Sequence, residues 1–219
     1  MTKKPFLSVV VPTHEMDDRS YFFKRLLNSL WNQSYQDFEI VVTDNSEDDV
    51  IEKICDWYKT GIRYIRNPKK GMAPNTNEAI KQAKGDYIKV LYMDDALAHD
   101  DVLERIVEKF KKEPEKLWLV SGANNNSNPH WTEDIHLGNN KLGSPSALAF
   151  RNKSPLLFDE SLTWLLDVEL YVRMYKKFGE PIIMSGKHID IGIGLHQMTN
   201  LISEERKSSE HEYLIKKYG

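Results

Sequence analysis

Strand-like runs alternating with amphipathic helices constrain this chain more than any other feature. Leu7-Ser8-Val9-Val10-Val11 is apolar and β-branched and is closed by Pro12, the pattern of a strand buried on both faces. Tyr21–Gln33 then places Phe22, Leu26, Leu27, Leu30 and Trp31 at helical spacing. Phe38–Thr43 reads as the next strand and ends at Asp44; Asp48–Lys59 is helical, with Val50, Ile51, Ile54 and Trp57 on its apolar side. Ile62–Ile65 is a third strand, Asn75–Ala83 a short helix, and Gly85-Asp86 turns the chain into a strand over Tyr87–Met93. Asp100–Lys112 is a helix with Val102, Leu103, Ile106, Val107 and Phe110 on one face, and Leu117–Ser121 is a further strand.

Such alternation predicts an α/β fold, a mostly parallel sheet with helices on both faces. In sheets of this kind ligands bind beyond the carboxyl ends of the strands. The chemistry is therefore expected just after Val11, Val42, Ile65 and Leu91. Three groups fall there: Thr13-His14-Glu15, Asp44-Asn45-Ser46 and Asp94-Asp95. Any one acid at a strand end is also explained by the preference of acids for turns. Three such groups on one sheet edge call for a partner, and a hard divalent cation is the natural one, since Mg²⁺ and Mn²⁺ take carboxylate oxygens and leave positions for phosphate.

The second half is less regular. Gly122–Gly143 is rich in Asn, Ser and Gly and reads as a long surface loop or small excursion. Ser146–Arg151 resumes a strand, Leu166–Phe178 a helix, and Pro181–Met184 is short and extended. Ser203–Tyr218 is polar and helical, a docked or frayed tail.

A length of 219 residues suits one α/β domain. A net charge of −3 gives no basic face for nucleic acid. The single cysteine, Cys55, excludes an intrachain disulfide and reads as a small buried apolar residue. Met1–Phe6 has two lysines but no apolar run after it, so no signal peptide is expected. No apolar stretch approaches the roughly 20 residues of a membrane span. The glycosylation patterns at Asn32, Asn125 and Asn152 are then coincidental, and a cytoplasmic location, peripheral at a membrane face, is expected. A dinucleotide-binding oxidoreductase would need a glycine-rich turn after the first strand, where this chain has Pro12-Thr13-His14; the phosphate-binding loop of P-loop NTPases is also missing.

The ordered series resembles a known family. Ser8-Val9-Val10-Val11-Pro12-Thr13, Glu39-Ile40-Val41-Val42-Thr43-Asp44-Asn45-Ser46, and Asn77-Glu78-Ala79-Ile80 leading through Gly85-Asp86-Tyr87-Ile88 to Asp94-Asp95 are similar to the signature of the family 2 glycosyltransferases with a GT-A fold. Ser144–Arg151 resembles the acceptor-side strand of that family, and Phe158-Asp159-Glu160 with Asp167–Arg173 the segment carrying its catalytic base. The likeness runs from about Ser8 to Ser203.

This resemblance implies one GT-A domain over 1–219: a nucleotide-binding half (1–95), an acceptor and catalytic half (96–203) and a helical tail (204–219). It implies an inverting transfer of a hexose-type sugar from a nucleoside diphosphate sugar, UDP-sugar favoured, to a hydroxyl of a glycan or lipid-linked acceptor. Pro12, Thr13, His14 and Glu15 would border the nucleotide, and Asp44 would accept a hydrogen bond from its base. Asp94 would sit beside the ribose or donor sugar, Asp95 would hold Mn²⁺ or Mg²⁺, and Asp167 would be the general base. Met93 stands where relatives often have the first acid of Asp-x-Asp, so the metal would rest on Asp95, water, phosphate and His196. Thr43 likewise stands where a second acid often precedes Asp44. Arg66 reads equally as a nucleotide contact or a surface residue, Asn77 as a phosphate contact or a helix-packing residue, and His196 as a ligand or an ordinary bonded histidine. Ser144, Ser146 and Trp164 are candidates for the acceptor and sugar pocket, with a core role equally open for Trp164. A GT-A domain that binds sugar nucleotides without catalysis, and a nucleotidyltransferase, are the competing readings. The retained Asp167 opposes the first, and the absence of a glycine-rich basic turn after the first strand opposes the second.

Overall fold

The computed structural model describes residues 4–58, 61–153 and 155–219. The expected helix end at Lys59, the serine of the Asn152 glycosylation pattern and the first three residues lie outside them. One eight-stranded sheet, in the order β3-β2-β1-β4-β7-β6-β8-β5, runs through the described residues. Its parallel part consists of β1 (Leu7–Thr13), β2 (Phe38–Asp44), β3 (Ile62–Arg66) and β4 (Tyr87–Val90). Next come β7 (Leu148–Arg151), antiparallel to both β4 and β6 (Trp118–Ala123), and β8 (Ile182–Asp190), parallel to β6. The two-residue β5 (Ala96–Leu97) closes the edge antiparallel to β8.

β1 is buried along its whole length. Its side chains alternate between two cores, as the twofold strand period requires. Leu7, Val9 and Val11 pack with α1 (Arg19–Trp31), α2 (Val50–Tyr58) and α4 (Val102–Lys112); Val10 packs with α3 (Met72–Gln82) and α5 (Leu166–Phe178) on the other face. The helices on both faces are those the alternation predicts. Leu26, Leu27 and Leu30 of α1 are wholly buried, each worth about 1.5–3 kcal/mol relative to exposure.

Several boundaries differ for physical reasons. β1 continues through Pro12 to Thr13 because β4 pairs with it only as far as Val10. One edge of β1 is free beyond that point, where a missing N–H breaks no ladder. β4 stops at Val90 rather than Met93. The Tyr92 N–H donates to Ser146 Oγ at 2.8 Å, and the Asp95 N–H to the Tyr92 carbonyl at 3.0 Å, so the chain leaves the ladder and turns. Helix α3 begins at Met72, three residues before Asn75, with Pro74 tolerated in its first turn. Its preceding Gly71 has φ 117°, a conformation that glycine supplies. Residues Pro145–Ala147 form a 3-10 turn before β7. β8 extends six residues beyond the expected Met184, because its polar Ser185–Lys187 stretch hides the strand from pattern reading. Trp57 of α2 is 74% exposed rather than part of the apolar face.

The polar excursion after β6 is tied down rather than loose. Ile135 and Leu142 are buried, and Trp131 stacks on Tyr175 with ring centroids 3.8 Å apart. A short α6 (Met198–Leu201), unseen in the sequence, precedes α7 (Glu204–Tyr218). Helix α7 is docked: Leu214 is wholly buried, and Lys217 Nζ and Tyr218 OH both donate to Glu169 of α5 at 2.8 and 2.7 Å.

Candidate active site

A cleft of about 740 Å³ opens beyond the carboxyl ends of β1, β2 and β4. Its walls come from the turns after β1 and β2, the loop into α3, the acidic turn after β4, the end of the polar excursion, the loop into α5, and the segment from Ile191 to Thr199. Pro12, His14, Glu15, Asp94, Asp95, Ser144, Trp164, Asp167 and His196 all line it. The sheet edge, the excursion and α5 thus bring together residues spread over most of the chain.

The acidic pair is divided by burial. The Asp94 side chain is 24% exposed to the cleft, whereas Asp95 is 3% exposed and its Oδ1 accepts the Gly192 N–H at 2.9 Å. Removal from water raises both carboxyls, and the charge of Asp94 raises Asp95 further. The turn is clamped from behind. Arg25 donates to the Asp94 carbonyl at 2.6 Å and to Asp190 at 2.9 Å. Gly192 runs so close that a Cβ there would lie 2.2 Å from the Asp94 carbonyl oxygen. Lys89, buried beneath the turn, donates to the Ser146 carbonyl. Burial pushes its ammonium down to about 7, with Asp95 pulling the other way.

His196 does not approach Asp95 as its partner, contrary to expectation. Its Nε2 lies 3.3 Å from Asp94 Oδ2, and its ring packs on Phe22 at 4.8 Å. That nitrogen is buried and makes no hydrogen bond. A carboxylate oxygen and an imidazole nitrogen thus converge at one edge of the cleft. Among the described residues no group of three His, Cys, Asp or Glu side chains gathers to hold a metal.

Asp167 stands in the first turn of α5 and lines the same cleft. Its Oδ2 accepts from Asn140 at 3.1 Å and its Oδ1 from the Val168 N–H at 2.8 Å. Desolvation, with the charge of Glu210 behind it, pushes the carboxyl up to about 7; the two donors pull it the other way. A carboxylate poised near neutrality and open to a cleft has the proton affinity of a general base. Trp164, three residues earlier, donates its indole N–H to Thr199 at 3.1 Å. Ser144 Oγ is buried without a partner at the cleft wall, while Ser146 stands behind it as the anchor of Tyr92.

Five sequence candidates do not reach the cleft surface. Asp44 is fully buried and its oxygens are filled: Thr13 Oγ1 donates at 3.0 Å, the Ser46 N–H at 2.9 Å and Tyr64 OH at 2.9 Å, while Arg66 pairs at 3.1 Å. A carboxylate offers about four acceptor positions, so none is left for a base. Thr13 and Arg66 are spent on the same network, and Arg66 also pairs with Glu52 at 3.1 Å. Asn77 is locked to the Phe158 backbone at 2.9 and 2.8 Å and to Glu160 at 3.0 Å, a packing role. Ser146 is wholly buried. The neighbouring Asn45 does line the cleft.

Other residues escaped sequence reading. Asn140 holds both Asp167 and its own loop; its only signal was an asparagine pair in a polar loop. Asn75 joins β1 to β2 by donating to the Thr13 and Thr43 carbonyls at 2.8 and 3.0 Å. Arg25 lay unmarked within a helix. No helix among the described residues is long and apolar enough to cross a membrane.

Known proteins resemble this chain in sequence and in fold. Residues 8–170 match the family described as Glycosyl transferase family 2. A β-1,3-glucosyltransferase of Campylobacter jejuni acting on GalNAc(5)-diNAcBac-PP-undecaprenol is 36% identical over 98 residues, 42% of this chain and 31% of that enzyme. The chain spans 13% to 41% of the length of the curated relatives set beside it. Among solved structures, Staphylococcus aureus TarS 1–349 in complex with UDP-GlcNAc superposes with a TM-score of 0.75 at 19% identity, over 95% of this chain and 65% of that one. Mannosyltransferase PcManGT of Pyrobaculum calidifontis, in complex with GDP-Man and Mn²⁺, gives 0.73 at 15% identity, over 100% and 66%. With residues 8–170 matching the family and TM-scores of 0.75 and 0.73 against these structures, the chain belongs to glycosyl transferase family 2 and has the GT-A fold.

Proposed function

We propose that this chain transfers a sugar from a nucleoside diphosphate sugar, UDP-sugar favoured, to a hydroxyl of a glycan or lipid-linked acceptor, with inversion at the anomeric carbon. The observation that carries the reading is one cleft holding the Asp94-Asp95 turn on the sheet edge and Asp167, raised to about 7, at the start of α5. The sugar nucleotides bound by structural neighbours support the donor class. A lipid-linked acceptor in a sequence relative supports the acceptor class.

In this reading the nucleotide lies along the turn after β1, against Pro12, His14, Glu15 and Asn45. Asp94 and His196 are the donor set that would hold Mn²⁺ or Mg²⁺; a carboxylate with an imidazole suits Mn²⁺ better. Bound there, the cation would act as a Lewis acid that offsets the charge of the departing diphosphate. Asp95 lines the cleft beside Asp94 and holds the turn through its bond from the Gly192 N–H. Asp167 takes the proton of the acceptor hydroxyl as that oxygen attacks the anomeric carbon opposite the diphosphate. Asn140 orients its carboxylate. Trp164 offers a flat face to a sugar ring, and Ser144 Oγ a free polar contact.

The test is release of nucleoside diphosphate from a panel of sugar nucleotides with Mn²⁺ or Mg²⁺ and candidate glycan acceptors. Turnover of one donor is expected, with Asp167→Asn retaining donor binding but losing transfer. No turnover and no metal-dependent nucleotide binding across the panel would overturn the proposal.

A further inference from the structure

Helix α7 lies beyond the stretch that matches the family, residues 8–170. One of its side chains nonetheless enters the wall of the cleft. Glu210 is 2% exposed. Its Oε1 accepts the N–H of Thr163 at 2.8 Å, and its Oε2 the N–H groups of Trp164 and Leu165, each at 2.9 Å. Arg206, one turn earlier on α7, donates to Oε1 at 2.7 Å and offsets the charge. Three successive backbone donors therefore converge on one carboxylate.

Their place in the chain gives this contact its meaning. Thr163, Trp164 and Leu165 all line the cleft, and Leu165 is the N-cap of α5. Leu165 has no side-chain oxygen with which to cap the helix start, and within the first turn Asp167 itself accepts the Val168 N–H. Glu210, from 45 residues away, accepts the N–H of this N-cap residue and of the two residues before it. Asp167 follows two residues later, so the position of its carboxylate depends on how this loop is held.

We propose that Glu210 is a positioning residue for sugar transfer: by binding the backbone of 163–165 it sets the direction of Asp167 and Trp164 into the cleft. The inference rests on the reading of Asp167 as the general base. Tyr92 faces Asp167 from the turn after β4, Tyr171 from within α5, Asn140 from the excursion, and Glu210 from α7. Of these, Glu210 is the acidic one, and its charge strengthens the hold of Asp167 on a proton.

Helix α7 has anchors besides Glu210. Leu214 is buried, the Glu169 contacts lie two turns further on, and His211 packs edge-on against Trp164 at 5.2 Å. The effect of Glu210 is therefore separable from undocking of the helix.

The experiment compares Glu210→Gln, Glu210→Asp, Lys217→Ala and Asp167→Asn in the full chain, with the donor and acceptor selected by the panel. Glu210→Gln is expected to lower kcat by about 10²-fold, the scale of a misplaced reacting group, at unchanged donor Kd. Its acidic pH limb should move to lower pH, because removing a negative charge makes the base easier to ionise. Hydrogen exchange of the amides of 163–165 should quicken. Glu210→Asp keeps the charge but shortens the reach, so kcat should fall less and the limb should stay in place. Lys217→Ala should lower Tm while keeping kcat, since it loosens α7 away from the loop. Wild-type kcat in folded Glu210→Gln, or unchanged exchange at 163–165, would overturn the proposal. Should Glu210→Gln fail to fold, lowered kcat at unchanged Kd in Glu210→Asp supports it and wild-type kcat there overturns it. Normal transfer by Asp167→Asn would instead refute the base assignment, whereas its loss beside a normal Glu210→Gln refutes only the role of Glu210.

Discussion

Replacing Asp44 by asparagine separates two roles that the same residue could have. If its carboxylate reads the nucleotide base, the substitution weakens donor binding and leaves the fold alone. The geometry argues the reverse. Oδ1 of Asp44 accepts from Thr13 and Ser46, and Oδ2 accepts from Tyr64 and forms an ion pair with Arg66. An asparagine has one oxygen, so one side of the network would face an NH₂ group. The Ser46 N–H is fixed by the backbone, so the oxygen is expected to stay there and the Tyr64 and Arg66 contacts to be lost. A hydrogen bond to a charged group is worth roughly 1.5–3 kcal/mol. The Tyr64 hydrogen bond and the Arg66 ion pair, each taken at that scale, set an upper range, and Arg66 keeps Glu52 and the Ser46 carbonyl as partners. The expected loss is therefore about 3 kcal/mol at the lower end of that range. For a domain of this size 1 kcal/mol moves Tm by about 2–4 °C, which gives a fall of about 6–12 °C. Thermal melts at pH 7 read the stability, and isothermal titration with the nucleotide reads the binding. Tyr64→Phe provides the second leg of a double-mutant cycle, in which the combined loss should be smaller than the sum. A Tm within about 2 °C of wild type, together with lost nucleotide affinity, would refute the network reading and return Asp44 to the base.

Three further outcomes follow from the cleft. Transfer should rise with pH through about 7 as Asp167 ionises; Asn140→Ala removes a donor that favours the ionised form, so the limb should shift to higher pH in a kcat-against-pH profile. His196→Ala should weaken Mn²⁺-dependent nucleotide binding by about tenfold, equivalent to ~1.4 kcal/mol, whereas Asp95→Ala should chiefly lower Tm; titration calorimetry with and without Mn²⁺ distinguishes them, and unaltered metal dependence in His196→Ala would remove that residue from the site. Gly192→Ala puts a carbon 2.2 Å from the Asp94 carbonyl, so the acidic turn must move; donor affinity and kcat should both fall, and wild-type kinetics would show that the turn tolerates displacement.

Much of the fold was legible before the structure because local periodicity carried it. The run Leu7–Val11 and the spacing of Leu26, Leu27 and Leu30 identified elements through the twofold and 3.6-residue repeats of buried side chains, and α5 was placed over its observed range. β5 and the far end of β8 were not legible. A two-residue strand has no periodicity, and Ser185–Lys187 lie at the break in the β6–β8 register, where the Gly186 N–H donates to the Ser127 carbonyl at 2.8 Å. Trp57 shows the opposite failure, since helical spacing alone does not say whether a partner covers the residue.

The same division applies to the site. The sequence by itself determined that acids stand at strand ends on one edge of a parallel sheet, because strand order and turn chemistry are local and repeat along the chain. It also brought the start of α5 into view as a second carboxylate position. Only the tertiary structure decided which acids are available. Asp44 is consumed by Thr13, Ser46, Tyr64 and Arg66, whereas Asp94, Asp95 and Asp167 line the cleft, Asp95 with one oxygen held by the Gly192 N–H. It also decided that His196 meets Asp94, and that Glu210 of α7 holds the loop before Asp167. Such choices follow from desolvation and from donors remote in sequence, quantities that have no value until the chain has packed.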